Sequence, residues 1–431
     1  MNYKPHYFFS DFFLGKIVAS TIVMVCFCYP ISAISALFIG ASPSLFNIAY
    51  RALIALGATY VSVICIYKNG LRIQKSMVFV YSFLLFYFIR LVYDTAIAGV
   101  TTAQTYFEIY SFFVGNICIV VLMIGQALHL VDKQKLIRQS FYILIISNLM
   151  ILLRALYQLD WQVGPEIFLF RTFISLEKNA VGNDIAALIN SITIGLQGGL
   201  LLTLSLSYLL LIGSKKARPH NLFLYSAIIL GVLNLLLGSS RGPMLFTFLS
   251  IVILLCFYVV FQKRTKKFYI KNLIAAIVLF LTISFVVNWL NANQIELSIV
   301  DRLLETKSNL EKGQTEERNE IYNEAFSMFL EKPIFGNQIN TYSVAYPHNF
   351  FIEMLMSTGI LGLLIYLGAL VFLLLKIVNY KFYGKYFAIL FVIFLIFYGL
   401  SQTSGNIYQS VEAWCMFALI LSYQKPNKWI N

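Results

Sequence analysis

LGLLIYLGALVFLLL, residues 361–375, carries no charge and no alternation of apolar with polar positions. A stretch of that kind reads as a helix inside a bilayer, because a helix satisfies its own backbone hydrogen bonds where water cannot. LLTLSLSYLLLI (201–212) is a second example, and comparable runs recur at the roughly 17–25 residues needed to cross the hydrocarbon core. Of 431 residues, 59% are hydrophobic and 12% charged, with a mean hydropathy of +0.78. A β-barrel does not fit, since its strands would alternate apolar and polar residues over about ten positions. The expectation is an all-α polytopic membrane protein, a single integral membrane domain over residues 1–431. About twelve transmembrane helices are predicted: 17–39, 46–67, 77–97, 107–130, 139–158, 186–212, 221–238, 243–261, 272–290, 350–375, 386–401 and 407–424. The opening MNYKPHYFFSDFFLGK does not resemble a cleaved leader, so the first span is expected to be retained.

The net charge of +13 suggests nucleic acid until its distribution is considered. With the N-terminus placed in the cytoplasm, the inner segments hold 21 of the 32 Lys and Arg but only two acids, Asp11 and Asp132. That is the positive-inside pattern, and it predicts both termini inside and no nucleic-acid partner. All six cysteines fall in apolar runs without metal-site spacing and read as small packed hydrophobes.

Two loops are then long and extracytoplasmic, residues 159–185 and 291–349. The second carries two amphipathic patterns. In IELSIVDRLLETKSNLEKG (295–313), Ile299, Leu303 and Leu310 recur near one helical face. A second helix follows Gly313, with Thr315 as its expected N-cap, Ile321, Ala325, Met328 and Phe329 as its stripe, and Pro333 ending it. Both helices suit a lid, either packed on the membrane face or closing over a site.

Arg51, Arg90, Arg154 and Arg241 lie in or at spans, where a charge is costly and normally faces a cavity, a partner or a ligand. Arg90 and Asp94 are four apart and are expected to pair. Arg51 and Arg154 fit either an interfacial or a substrate-binding role. In GSSRGP (238–243), Arg241 sits at a helix start with free N–H groups, which suits phosphate oxygens; a tight turn meeting lipid headgroups is the alternative. His348 is the only histidine on the outer side under this topology. Asn349 is a good N-cap for the span that follows, and Glu353 lies one turn further in. A helix start favours the neutral imidazole, able to accept a proton; capping or interfacial packing is the alternative.

Three stretches in order carry a resemblance: GSSRGPML (238–245), ERNEIYNEAFSMFLEKPIFGNQ (317–338) and PHNFFIEMLMSTGILGLLIY (347–366). Together they resemble the O-antigen ligases and O-antigen polymerases, membrane glycosyltransferases of bacterial surface polysaccharides, over a core region 238–367. The matching positions are Arg241, Arg318 with Tyr322 and Pro333–Gly336, and His348, Asn349, Gly359 and Gly362; Tyr322 stands where tryptophan is frequent. The resemblance implies a GT-C-like fold in the bacterial inner membrane. It also implies an undecaprenyl-pyrophosphate-linked oligosaccharide donor at the periplasmic face. Arg241 and Arg318 would bind the pyrophosphate, and His348 would act on the acceptor hydroxyl with inversion. Asn349, Glu353, Arg51 and Arg154 are further substrate-binding candidates. No cofactor and no metal are expected. The acceptor would be a lipid-linked repeat unit for a polymerase, the reading preferred here, or lipid A–core for a ligase, with a chain-length regulator as a candidate partner. A twelve-span transporter is the alternative from another class; its expected two-fold internal repeat is not visible.

Overall fold

The computed structural model describes residues 10–39, 43–102, 104–158, 161, 190–212, 218–262, 317–343 and 346–425, and every regular element among them is helical. The expected span 272–290, the first lid helix and all of the 159–185 loop except Trp161 lie outside the described residues. In chain order the helices are α1 (Asp11–Phe27), α2 (Tyr29–Ile39), α3 (Pro43–Asn69), α4 (Val78–Val92), α5 (Tyr106–Tyr110), α6 (Ile119–Ala127) and α7 (Lys133–Gln158). They continue with α8 (Ser191–Ser207), α9 (Arg218–Gly238), α10 (Arg241–Gln262), α11 (Glu317–Glu331), α12 (Phe350–Val378), α13 (Lys385–Ser404) and α14 (Val411–Ser422).

Among the described residues, 8 helical stretches are long and apolar enough to cross a membrane, or 9 if a bent pair counts as one. That pair is α1 with the start of α2, bent by 68° around Cys28. Pro30 lacks the N–H that would continue the ladder across the bend. Two of the expected spans correspond to shorter apolar helices, Leu222–Gly238 and Val411–Ser422. All six cysteines are free thiols.

The chain divides into two compact units. One comprises Ala33–Pro43 and Leu144–Gln314. Within it, α8 and α9 approach until backbone meets backbone: a Cβ on Gly198 would overlap the Leu235 amide, and one on Gly231 would lie 2.8 Å from the Leu202 nitrogen. Small residues permit such packing, and buried amides tie it together where no water competes. Asn234 Nδ2 donates to Asn148 Oδ1 at 2.8 Å, and Asn148 Nδ2 donates to the Gln197 carbonyl at 3.0 Å.

The other unit comprises Met1–Ser32, Ser44–Ile143 and Thr315–Asn431. Its core is aromatic: Trp414 packs on Phe83 and Phe350, both with ring centroids 5.6 Å away, and Tyr366 joins them. The stripe expected on α11 is its buried face, where Ala325 and Met328 are closed off against Met356 of α12. Lys332 and Pro333 end α11, and the chain then turns into α12 itself. Helix α12 is broken at Gly359, whose φ of 64° and ψ of −164° are open only to glycine. The break frees backbone groups that a continuous helix would bond internally. Ile360 N–H donates to the Pro333 carbonyl at 2.9 Å, Leu361 N–H to Ile334 at 3.2 Å, and Asn337 N–H to the Met356 carbonyl at 2.7 Å. The approach is so close that a Cβ on Gly336 would overlap the Ser357 carbonyl. The expected Arg90–Asp94 pair forms at 2.7 Å and clamps the same loop. Asp94 accepts the Ile339 N–H at 2.8 Å, and Arg90 Nη1 donates to the Gly336 carbonyl at 3.3 Å. The part of α12 beyond the break, about 19 residues, rises roughly 28 Å, enough for a membrane crossing by itself.

Candidate functional site

The start of α12 is built as the sequence suggests. Asn349 is its N-cap, with Oδ1 accepting the N–H groups of Phe351 at 3.0 Å and Ile352 at 3.1 Å. The preceding His348 has a φ of 53°, in the left-handed region that most side chains avoid. Its ring lies against Tyr346, centroids 4.3 Å apart. Backbone strain of this kind persists only where neighbours hold it, and it fixes the direction of the imidazole.

What holds it is the end of another helix. The last carbonyls of any α-helix have no partner within the helix and carry its negative dipole end. In α13 three successive ones are engaged by the candidate residues. Asn349 Nδ2 donates to the Gln402 carbonyl at 3.1 Å, and Arg318 Nη1, reaching from the first turn of α11, donates to Thr403 at 3.0 Å. The His348 imidazole hydrogen-bonds the Ser404 backbone. A guanidinium is well suited to a helix C-terminus, and Arg318 has further N–H donors for a ligand. No sequence signal announces these acceptors, because they are main-chain groups.

Burial lowers the His348 pKa below its ordinary 6.5, and the nearby Arg318 charge lowers it further, while the Ser404 hydrogen bond opposes both. The imidazole is therefore neutral at physiological pH, and its Nδ1 has no hydrogen-bond partner among the described residues. If His348 serves as a base, activity is expected to fall as pH drops through its folded pKa, with the acid limb of the pH profile below 6.5. Replacing Arg318 by glutamine removes the second cause of the depression. The acid limb of the residual activity is expected to move to higher pH without passing the ordinary value, because burial remains; a rate–pH profile of the variant checks this.

Glu353 lies inside the protein. It is fully buried, with Oε2 accepting the Ile407 N–H at 3.0 Å and Oε1 accepting the Tyr87 hydroxyl at 3.2 Å. Both of its carboxyl oxygens face protein donors rather than open space. Arg51, on α3, is stacked over the Phe112 ring, its guanidinium carbon 3.4 Å from the centroid, an arrangement the sequence did not suggest.

Arg241 and Arg154 belong to the other unit. Helix α9 ends at Gly238, Ser239 takes a φ of 41°, and α10 begins at Arg241, with Pro243 in its first turn as expected. The turn rests on Gly195, whose added Cβ would lie 3.3 Å from Pro243. Arg241 is exposed at that helix start, and Arg154 lies with its guanidinium carbon 5.6 Å from the Tyr157 ring centroid. Among the described residues, no group of three or more His, Cys, Asp or Glu is arranged to hold a metal ion.

Residues 226–367 match the family model described as O-antigen ligase, a range that begins within α9 and contains all three stretches singled out in the sequence. No curated protein and no solved structure matches the chain. Over residues 226–367 the chain is thus similar to the O-antigen ligase family, which supports the resemblance to the O-antigen ligase and polymerase superfamily.

Proposed function

We propose that the protein is an inverting glycosyltransferase of the bacterial inner membrane. It would act at the periplasmic face on a glycan linked through pyrophosphate to undecaprenol, as a polysaccharide polymerase. The observation that supports this reading is the convergence of Arg318 and the segment carrying His348 and Asn349 on successive residues of one helix end.

In the proposed step the acceptor hydroxyl attacks the anomeric carbon from the face opposite the pyrophosphate. A new glycosidic bond forms, and the bond from carbon to pyrophosphate oxygen breaks, its electron pair leaving with the pyrophosphate. His348 takes the hydroxyl proton. Arg318 neutralises the charge that develops on the leaving group, the type of stabilisation that contributes most when donors are pre-positioned. Arg241, at a helix start with its own N–H groups, is assigned to the same pyrophosphate. Asn349 orients the segment that carries His348. An apolar trough of about 500 Å³ beside the docked loop, with Phe86, Ile89, Phe335, Arg90 and Lys332 in its wall, suits an isoprenoid tail and its phosphate. Arg51 and Arg154 are retained as candidates for glycan contact.

The matched family description favours a second reading, a ligase that moves the finished polymer onto lipid A–core. Donor chemistry is the same and the acceptor differs. Purified protein incubated with a defined lipid-linked oligosaccharide separates them: a polymerase yields a ladder without lipid A–core, whereas a ligase requires that acceptor. In cells, loss of a polymerase leaves single repeat units on core, and loss of a ligase leaves core bare with polymer on the carrier lipid; the same assay settles whether a chain-length regulator alters the ladder. In the purified assay, Arg241→Ala is expected to lose about 100-fold or more in transfer. Arg241→Lys should recover only part, since an ammonium keeps the charge without the two-pronged hydrogen bonding. Equal activity of all three proteins would remove Arg241 from the site.

A further inference from the structure

We infer that Glu353 is a positioning residue for transfer, holding the end of α13 in place from inside the protein so that Arg318, His348 and Asn349 keep their register. This rests on the glycosyl-transfer reading and adds a residue that touches none of the reacting groups.

The argument begins with where the three site residues are anchored. Their partners are Gln402, Thr403 and Ser404, successive residues at the very end of α13. A helix end is the part most prone to fray, so three side chains hung from it inherit its mobility unless something beyond it is fixed. Beyond it, Gly405 leaves the helix and Asn406 begins a turn closed on itself, its side chain donating to Gln409 Oε1 at 2.9 Å and accepting the Gln409 N–H at 2.7 Å. Between these lies Ile407, whose two main-chain groups are both held by buried side chains. Its N–H donates to Glu353 Oε2 at 3.0 Å, and its carbonyl accepts Trp414 Nε1 at 2.9 Å. Ile407, Glu353 and Tyr87 are each fully closed to solvent.

Glu353 thus joins three elements. It stands on α12 four residues after Asn349, receives Tyr87 of α4, and grips the turn that follows α13. This side chain thus links α12, whose N-terminus carries His348, to the turn that follows the α13 C-terminus. The segment from 402 to 407 is held at one end by the site residues and at the other by Glu353. A misplacement of the reacting groups by about 1 Å can cost roughly 100-fold in rate, and nothing else on this turn offers an acceptor to the Ile407 N–H.

The test compares wild type, Glu353→Leu and Glu353→Gln in the intact protein. Leucine fills similar space and leaves the Ile407 N–H without an acceptor. Glutamine offers its carbonyl oxygen to that N–H and its amide to the Tyr87 oxygen. Transfer from a defined lipid-linked oligosaccharide is measured as kcat and donor KM, alongside amide hydrogen exchange in the peptide 402–410. Glu353→Leu is expected to lower kcat by about 100-fold with little change in donor KM, and to speed exchange at Ile407 by about tenfold or more. Glu353→Gln should stay within about threefold of wild type on both measures. A Glu353→Gln protein as inactive as Glu353→Leu, with Ile407 still protected, would overturn the inference, because the carboxylate would then act on substrate directly. Unchanged transfer and exchange in Glu353→Leu would also overturn it. Exchange behaving as expected in a wild-type protein that transfers no glycan would uphold the bracing of the turn and count against the glycosyl-transfer reading. Should Glu353→Leu fail to accumulate, Trp414→Phe, which releases the Ile407 carbonyl and keeps an aromatic ring in the core, is read the same way.

Discussion

Replacing His348 by asparagine is expected to lower kcat for the proposed glycan transfer by roughly 10²–10⁴-fold, the range that a positioned general base contributes, while the protein still inserts and melts near wild type. Asparagine is the informative choice because of the backbone. His348 sits at a φ of 53°, and an alanine there takes on a strained conformation in addition to losing the imidazole. Asparagine tolerates the left-handed region and so isolates the loss of chemistry. Alanine is expected to show the same catalytic loss with a lower melting temperature. The measurement is single-turnover transfer from a lipid-linked oligosaccharide at saturating acceptor. Donor binding should be nearly unchanged, since the pyrophosphate contacts assigned to Arg318 and Arg241 remain. Wild-type glycan ladders from His348→Asn would end the case for this residue as the base.

The second large effect is structural. Gly359→Val is expected to unseat the loop 333–340 from α12, with a loss of several kcal/mol, since a forbidden backbone conformation alone costs about 1–3 kcal/mol and the added atoms then collide. A Cβ at this position would overlap the Ile334 carbonyl oxygen and lie 2.6 Å from the Gly336 nitrogen. Relief requires withdrawal of the loop, and with it go the hydrogen bonds from Ile360, Leu361 and Asn337. Helix α11 would lose the docked loop that follows it, leaving Arg318 on a loosened element. Limited proteolysis within 332–343 and the melting temperature in detergent report the change. Gly384→Val provides the comparison: Gly384 also has a positive φ, 82°, but nothing lies within 4 Å of where its Cβ would be. That variant should show only the conformational part of the cost. Equal destabilisation by both substitutions would mean that the loop is not docked through Gly359.

The features legible in the sequence were those with local rules. The i, i+4 spacing of Arg90 and Asp94 predicted their ion pair, the stripe on 321–329 predicted which side of α11 is buried, and the polar residue before an apolar run predicted the Asn349 cap. The break in α12 was not legible, since hydropathy over 350–378 is high throughout and reports nothing about φ. Ser357, Thr358 and Gly359 in succession are the only local hint. The anchoring of the site was equally hidden. Its acceptors are the carbonyls of residues 402–404, identical in kind to every other carbonyl in the chain. Glu353 stood out as a carboxylate within an apolar run, but its partner is a main-chain N–H 54 positions away, beyond any reading of spacing. The sequence also offered Arg51 as a substrate contact without the Phe112 ring beneath it. The twelve expected spans differ from the eight helical stretches of full length because α1 and α2 bend, two apolar helices are short and one segment lies outside the described residues.

The joint between the loop at 333–336 and the interrupted helix is written almost wholly in peptide groups, and glycines are its only strict demand. Side chains on the outward surface of α11, such as Asn323, Phe326 and Leu330, take no part in it. That surface is consequently free to vary in shape and polarity while the scaffold beneath keeps one geometry.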